Sequence, residues 1–117
     1  MQADRARAQQ VLDELAAAYD DVPDVDRAPM FGSEALRVLG KVFAFVGREG
    51  QLIVKLPAPR VAELLAAAAA KPVHVGRNAT REWAGIPPTT DPTQWRALLA
   101  EAHAFVSAAA RSSDRPR

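Results

Sequence analysis

An α+β domain, a two-layer α/β sandwich on an antiparallel sheet, is the fold class this sequence predicts, and three observations predict it. Residues 30–56, MFGSEALRVLGKVFAFVGREGQLIVKL, read as consecutive short strands punctuated by Gly40-Lys41 and by Gly47-Arg48-Glu49-Gly50, the spacing of an antiparallel meander. Apolar residues recur at helical period near the start, in the middle and near the end of the chain, which gives three helices. Two more strand-like runs separate the second helix from the third, so the expected order is one helix, three or four strands, a helix, two strands and a helix. Along Val42–Val46 and Gln51–Leu56 apolar side chains stand at almost every position. Successive strand residues point to opposite faces, so both faces of the sheet are expected to be largely dry.

The first helix is expected over Asp4 to Asp20, with Ala8, Val11, Leu12, Leu15 and Tyr19 on one face and Asp4 as its cap. Asp20-Asp21-Val22-Pro23-Asp24 ends it, because proline disfavours helical geometry in the residue before it. Strands follow near Ala28 to Gly32, then over Glu34 to Leu39, Lys41 to Val46 and Gln51 to Leu56. Gly40-Lys41 is read as a tight turn, where glycine tolerates the positive φ of a hairpin. Pro57-Ala58-Pro59 opens the second helix, with Val61, Leu64, Leu65 and Ala68 as its stripe and an end near Ala70, since the run Ala66 to Ala70 favours helix. Lys71 to Gly76 and Arg81 to Ile86 are two further strands around a polar loop, Gly76-Arg77-Asn78-Ala79-Thr80. Asp91-Pro92-Thr93-Gln94 starts the third helix with a cap and a proline at its first position. Trp95, Leu98, Leu99, Ala102, Phe105, Val106 and Ala109 form its apolar face, and RSSDRPR is an expected frayed tail.

A chain of 117 residues, 49% of them hydrophobic, has the size of one domain. Residues 1–117 are read as that domain, with tails over 1–4 and 111–117. No apolar run reaches the roughly 18 residues that span a bilayer, and MQADRARAQQ is charged where a signal peptide is apolar. No membrane association and a cytoplasmic location are therefore expected. The absence of cysteine excludes disulfides, thiolate nucleophiles and cysteine-based zinc sites. Net charge is +1, yet residues 1–26 hold seven acids against Arg5 and Arg7, while residues 36–82 hold eight bases against Glu49, Glu63 and Glu82. The near-neutral total argues against wrapping DNA by charge alone, whereas the basic middle supplies enough cations for several phosphate contacts.

Catalytic and metal-binding classes find little support. His74 and His103 are the two imidazoles, and Glu101, two residues from His103, lies on a different side of a helix. The serines lack a nucleophile elbow, and the glycines form neither phosphate loop. Asp20, Asp21, Asp24 and Asp26 lack the glycine and closing glutamate of a calcium loop. No catalytic residue, cofactor or metal is expected. The remaining candidate is a basic surface of Lys55, Arg77 and Arg81 with Trp83 close by, since arginine grips phosphate in two-pronged fashion and tryptophan stacks on bases. The competing structural account makes Lys55 the guard of a sheet edge and Trp83 a core residue. If the three helices cover one sheet face, Phe43, Phe45 and Ile53 are left either to a partner, for which a homodimer is one candidate, or to part of a helix or the N-terminal segment of the same chain.

Met30-Phe31-Gly32, a strand, Gly40-Lys41 with Phe43, a hairpin, Leu52 with Lys55, a helix, then Trp83 followed by Ile86-Pro87 form a series. In these motifs the chain resembles the N-terminal domain of TfoX/Sxy-type proteins, a fold related to the YjbR-like group, over about residues 10 to 110. Ser33 and Glu34 depart from the glycine and small or aromatic residues often seen after that Met-Phe-Gly. The resemblance implies the same two-layer domain and no catalytic residues. It also implies a bacterial setting and a role in transcription regulation, because the namesake proteins regulate competence genes and carry a further C-terminal domain. The function expected is a non-enzymatic accessory or regulatory domain acting through contacts with a protein partner not identified by the sequence. Weak nucleic-acid binding through the basic sheet and loop is the second class, and small-molecule binding the third.

Overall fold

The computed structural model describes residues 2–30, 33–75, 78–88 and 92–113. Among them run, in order, α1 (Gln2–Ala16) with a 3-10 turn (Ala17–Tyr19), β1 (Val25–Met30), β2 (Ser33–Val38), β3 (Lys41–Val46), β4 (Leu52–Lys55), α2 (Ala58–Ala66), β5 (Lys71–Val75), β6 (Asn78–Ile86) and α3 (Thr93–Ser113). The strands form one antiparallel sheet in the order β1-β2-β3-β4-β6-β5. This is the expected α+β sandwich. The crossover β4-α2-β5 skips one position, which β6 fills by running back between its two flanking strands.

All three helices lie on one face. Leu12 and Leu15 of α1, Val61 and Leu64 of α2, and Trp95, Leu98, Leu99, Ala102 and Val106 of α3 join Val38, Phe43, Val46, Leu52, Val54, Leu56 and Ile86 in a single buried cluster. Arg60 at the start of α2 reaches across to α3, its Nε and Nη2 donating to the Glu101 carboxylate at 2.9 and 3.1 Å. No described helix is long and apolar enough to cross a membrane.

The β2–β3 turn is a two-residue hairpin loop. Val38 pairs with Lys41, and Leu39 (φ 53°) and Gly40 (φ 78°) both take positive φ, the geometry whose twist matches the strands it joins. The turn therefore sits one residue earlier than expected, and Lys41 opens β3. The β3–β4 loop is Arg48-Glu49-Gly50: the Gly47 N–H donates to the Gln51 carbonyl at 2.9 Å, and Gly50 has φ 81°. At Gly47 a Cβ would come within 2.6 Å of the Gln51 side chain and 2.9 Å of Ile53, so the ends of those two side chains would have to move to admit one.

Several boundaries differ from expectation. α1 starts at Gln2, so Asp4 lies within it rather than capping it, and its end tightens into 3-10 geometry from Ala17. α2 stops at Ala66, not Ala70. The Ala69 N–H returns to the Leu64 carbonyl (2.9 Å) and the Ala68 N–H to the Leu65 carbonyl (3.1 Å), with Ala68 at φ 57°. This is a Schellman cap with alanine in the left-handed position that glycine usually takes. Leu65 and Ala68 are consequently exposed, while Val61 and Leu64 carry the buried stripe. Asn78, Ala79 and Thr80 belong to β6 rather than to a loop. On α3, Ala110 is buried in place of Ala109, and Arg111 to Ser113 continue the helix instead of fraying. Phe31, Gly32, Gly76, Arg77, the Asp91 cap and residues 114–117 lie outside the described residues.

The two faces of β3 are divided by a bulge. Leu36 pairs with Ala44 while Arg37 pairs with Val42, which leaves Phe43 as an extra residue. A bulge resets the alternation beyond it. Phe43 turns inward against Tyr19 and His103, with ring centroids 6.1 and 5.5 Å away. Phe45, two residues on, turns to the opposite face. The expectation that Phe43, Phe45 and Ile53 share an uncovered face is thus corrected: Phe43 is core, and the helix-free face carries Phe45 and Ile53.

Candidate functional site

On the helix-free face, Phe45, Ile53 and Gly85 form one row across β3, β4 and β6, and Lys55 and Trp83 pair in the row beside it. Ile53 is buried, whereas Phe45 and Trp83 are half-buried and stand outside the core cluster. Their rings meet edge to face, with centroids 5.8 Å apart and planes inclined at 64°. The Lys55 ammonium lies over the Trp83 ring, 5.6 Å from its centroid, within cation–π range. Trp83 is therefore not a core residue. Lys55 guards no sheet edge either, because β4 lies between β3 and β6.

Beyond Lys55 the pairing of β4 with β6 ends in one last hydrogen bond, from the Leu56 N–H to the Glu82 carbonyl at 2.8 Å, and the chain turns into α2. On its other side β6 is irregular. Pro72 pairs with Ala84 and His74 with Ala79, so four residues of β6, Thr80 to Trp83, lie opposite the single Val73. Proline supplies no N–H to a ladder, which accounts for the break beginning at Pro72. The Thr80 hydroxyl secures the bulged segment by donating to the Val73 carbonyl at 2.8 Å. Between this segment and the start of α2 opens a hollow of about 340 Å³ lined by Lys55, Ala58, Thr80, Arg81, Glu82 and Trp83.

Of the sequence-predicted basic surface, Lys55 and Arg81 are brought together with Trp83 at this hollow, and Arg77 lies outside the described residues. Ala58, Thr80 and Glu82 were not foreseen as lining residues. Pro72 within a strand is the signal that could have pointed to Thr80 and Glu82, since it marks where regular pairing fails. The motif residues divide differently. Gly40 serves the hairpin, Lys41 is exposed at the start of β3, Phe43 is fully buried and Met30 ends β1, paired with Ser33.

Elsewhere several charged groups pair with one another. Asp26 and Arg37 form a two-pronged pair, Nε–Oδ1 2.9 Å and Nη2–Oδ2 2.6 Å, and the Arg37 hydrogen bonds hold the Asp26 carboxyl below its ordinary range. Asp20 faces Arg27 at 3.6 Å and Asp24 faces Arg111 at 3.7 Å, so with Asp26 three of the aspartates after α1 meet arginines. His103 is part of a ring cluster with Tyr19 and Phe43, both centroids 5.5 Å away. Burial, with a smaller effect from Arg111, pushes its imidazole below the ordinary value.

A family model described as YjbR matches residues 9–105. No curated protein and no solved structure matches the chain. The family match begins inside α1, takes in every strand and α2, and ends late in α3. Over that span, which holds the core, the sheet and the hollow beside Trp83, the chain belongs to the YjbR family.

Proposed function

We propose that this YjbR-family chain is a non-enzymatic accessory or regulatory domain of the bacterial cytoplasm that works by binding nucleic acid at the helix-free face of its sheet. The observation that carries the reading is the Lys55 ammonium held over a half-buried Trp83, with Arg81 on the same hollow. Two cations beside an accessible aromatic ring combine phosphate attraction with a surface for a base. The finer kinship with TfoX-type N-terminal domains, supported by the Gly40-Lys41 and Phe43 motif, gives the role a transcriptional direction, with competence genes as one target.

Fluorescence anisotropy with labelled duplex and single-stranded DNA at low and moderate salt tests this. Binding is expected to weaken as salt rises, because each neutralised phosphate releases counterions, and to be lost in Lys55→Glu/Arg81→Glu. Absence of binding at low salt, or indifference to the double charge reversal, overturns it.

Protein contact is the second reading. Phe45, Trp83 and Arg81 have the aromatic and arginine chemistry of interface anchors, and a second copy of the chain is the simplest partner. Light scattering that shows a monomer at high concentration removes the homodimer.

A further inference from the structure

Resting on the nucleic-acid reading, we infer that the hollow takes a single strand rather than a duplex, with one unstacked base laid against Trp83 and its phosphates on Lys55 and Arg81. In a duplex the faces of the bases are hidden in the stack and only their edges and the phosphates are presented. What this hollow offers is the Trp83 ring with the Lys55 ammonium lying over it, 5.6 Å from its centroid, a place that an incoming base takes by drawing the ammonium onto its own phosphate. Trp83 is half-buried, packed against Phe45 with the ring planes inclined at 64°, and paired with Lys55 across the sheet. Among the described residues the cations lining the hollow are two, Lys55 and Arg81, and Glu82 shares the lining. Two phosphate contacts give little affinity for a uniformly charged duplex at physiological salt, whereas stacking adds a contribution that a single strand alone can supply. The bulge from Thr80 to Trp83 takes these residues out of regular pairing with β5.

The molecule carries its own reporter. Of its two tryptophans, Trp95 is 1% exposed and its indole N–H donates to the Pro87 carbonyl at 3.2 Å, so quenching of indole emission by a stacked base reads Trp83. The full chain is titrated with an oligothymidylate of about ten nucleotides, within the range single-strand sites cover, with a duplex of equal length and with an abasic chain of equal length. The oligothymidylate is expected to quench emission and to bind tighter than either control. Trp83→Leu, folded by circular dichroism, is expected to weaken it about 5- to 150-fold, as the loss of one stacked base implies. Quenching in the unsubstituted protein serves as the readout should that variant not fold. Duplex binding equal to or tighter than single-strand binding, or an abasic chain that binds as well, overturns the inference and leaves nucleic-acid binding standing. No binding by any of the three at low salt overturns both.

Discussion

His103 shows how a titratable side chain can be recruited for packing. Its ring lies between Tyr19 of the 3-10 turn and Phe43 of β3, and burial lowers its pKa from the ordinary 6.5. A proton is then taken up more readily by the unfolded chain than by the folded one. The contribution of His103 to stability is full above pH 6.5 and falls as pH drops from there through the depressed folded value. Thermal melts between pH 7.5 and 5 are expected to show a loss of stability that His103→Phe reduces; equal pH dependence in the two proteins would count against this account. The sequence allowed His103 to be placed on α3 and judged structural, because its spacing to Glu101 ruled out a shared helix side. It did not show the aromatic neighbours, since Tyr19, Phe43 and His103 are far apart in the chain and meet only through the bulge that turns Phe43 inward. Lys55, Arg81 and Trp83 were legible as a group for the opposite reason. Arg81 and Trp83 are two residues apart on one strand, and the strand that carries Lys55 is plain from its composition.

Helices and turns were legible in their existence and less so in their ends, and the alanine run shows why. Alanine has the highest helix propensity, so Ala66 to Ala70 reads as helix, yet α2 closes at Ala66 with Ala68 at φ 57°. The crossover from β4 to β5 must end where β5 can pair with β6, and that tertiary demand outweighs local preference. A left-handed L-residue costs about 1–2 kcal/mol, part of which glycine returns through its own conformational entropy. Ala68→Gly is therefore expected to stabilise the protein by about 0.5–1 kcal/mol, read as a higher midpoint in chemical denaturation. Destabilisation would mean that the cap is not formed in this way. Leu39 takes φ 53° in the β2–β3 turn, and its side chain packs against the core cluster, so burial offsets the backbone cost there. In β3 the sequence could not fix register, because Lys-Val-Phe-Ala-Phe-Val is apolar at every position after the first and presents no alternation to read.

Taken whole, the molecule places its stability on one side of the sheet and its candidate chemistry on the other. The fold class was legible because layer architecture follows from the order of elements, while the uncovered face was not, since it depends on the bulges at Phe43 and after Pro72. Substitutions should sort by face. Leu99→Ala, at a position of α3 with 0% exposure, is expected to cost about 2–5 kcal/mol. Trp83→Leu, outside the core cluster, is expected to cost no more than about 2 kcal/mol. Urea denaturation of the two variants measures the contrast, and equal losses would show that the faces are not independent. The extra residue at Phe43 then acquires an evolutionary meaning. Because it assigns phenylalanines two positions apart to opposite sides, point substitutions can reshape the open face while leaving the interior unchanged. An insertion or deletion in β3 would instead exchange the two sides, so the open face can vary while the bulge is kept and the folding stays alike.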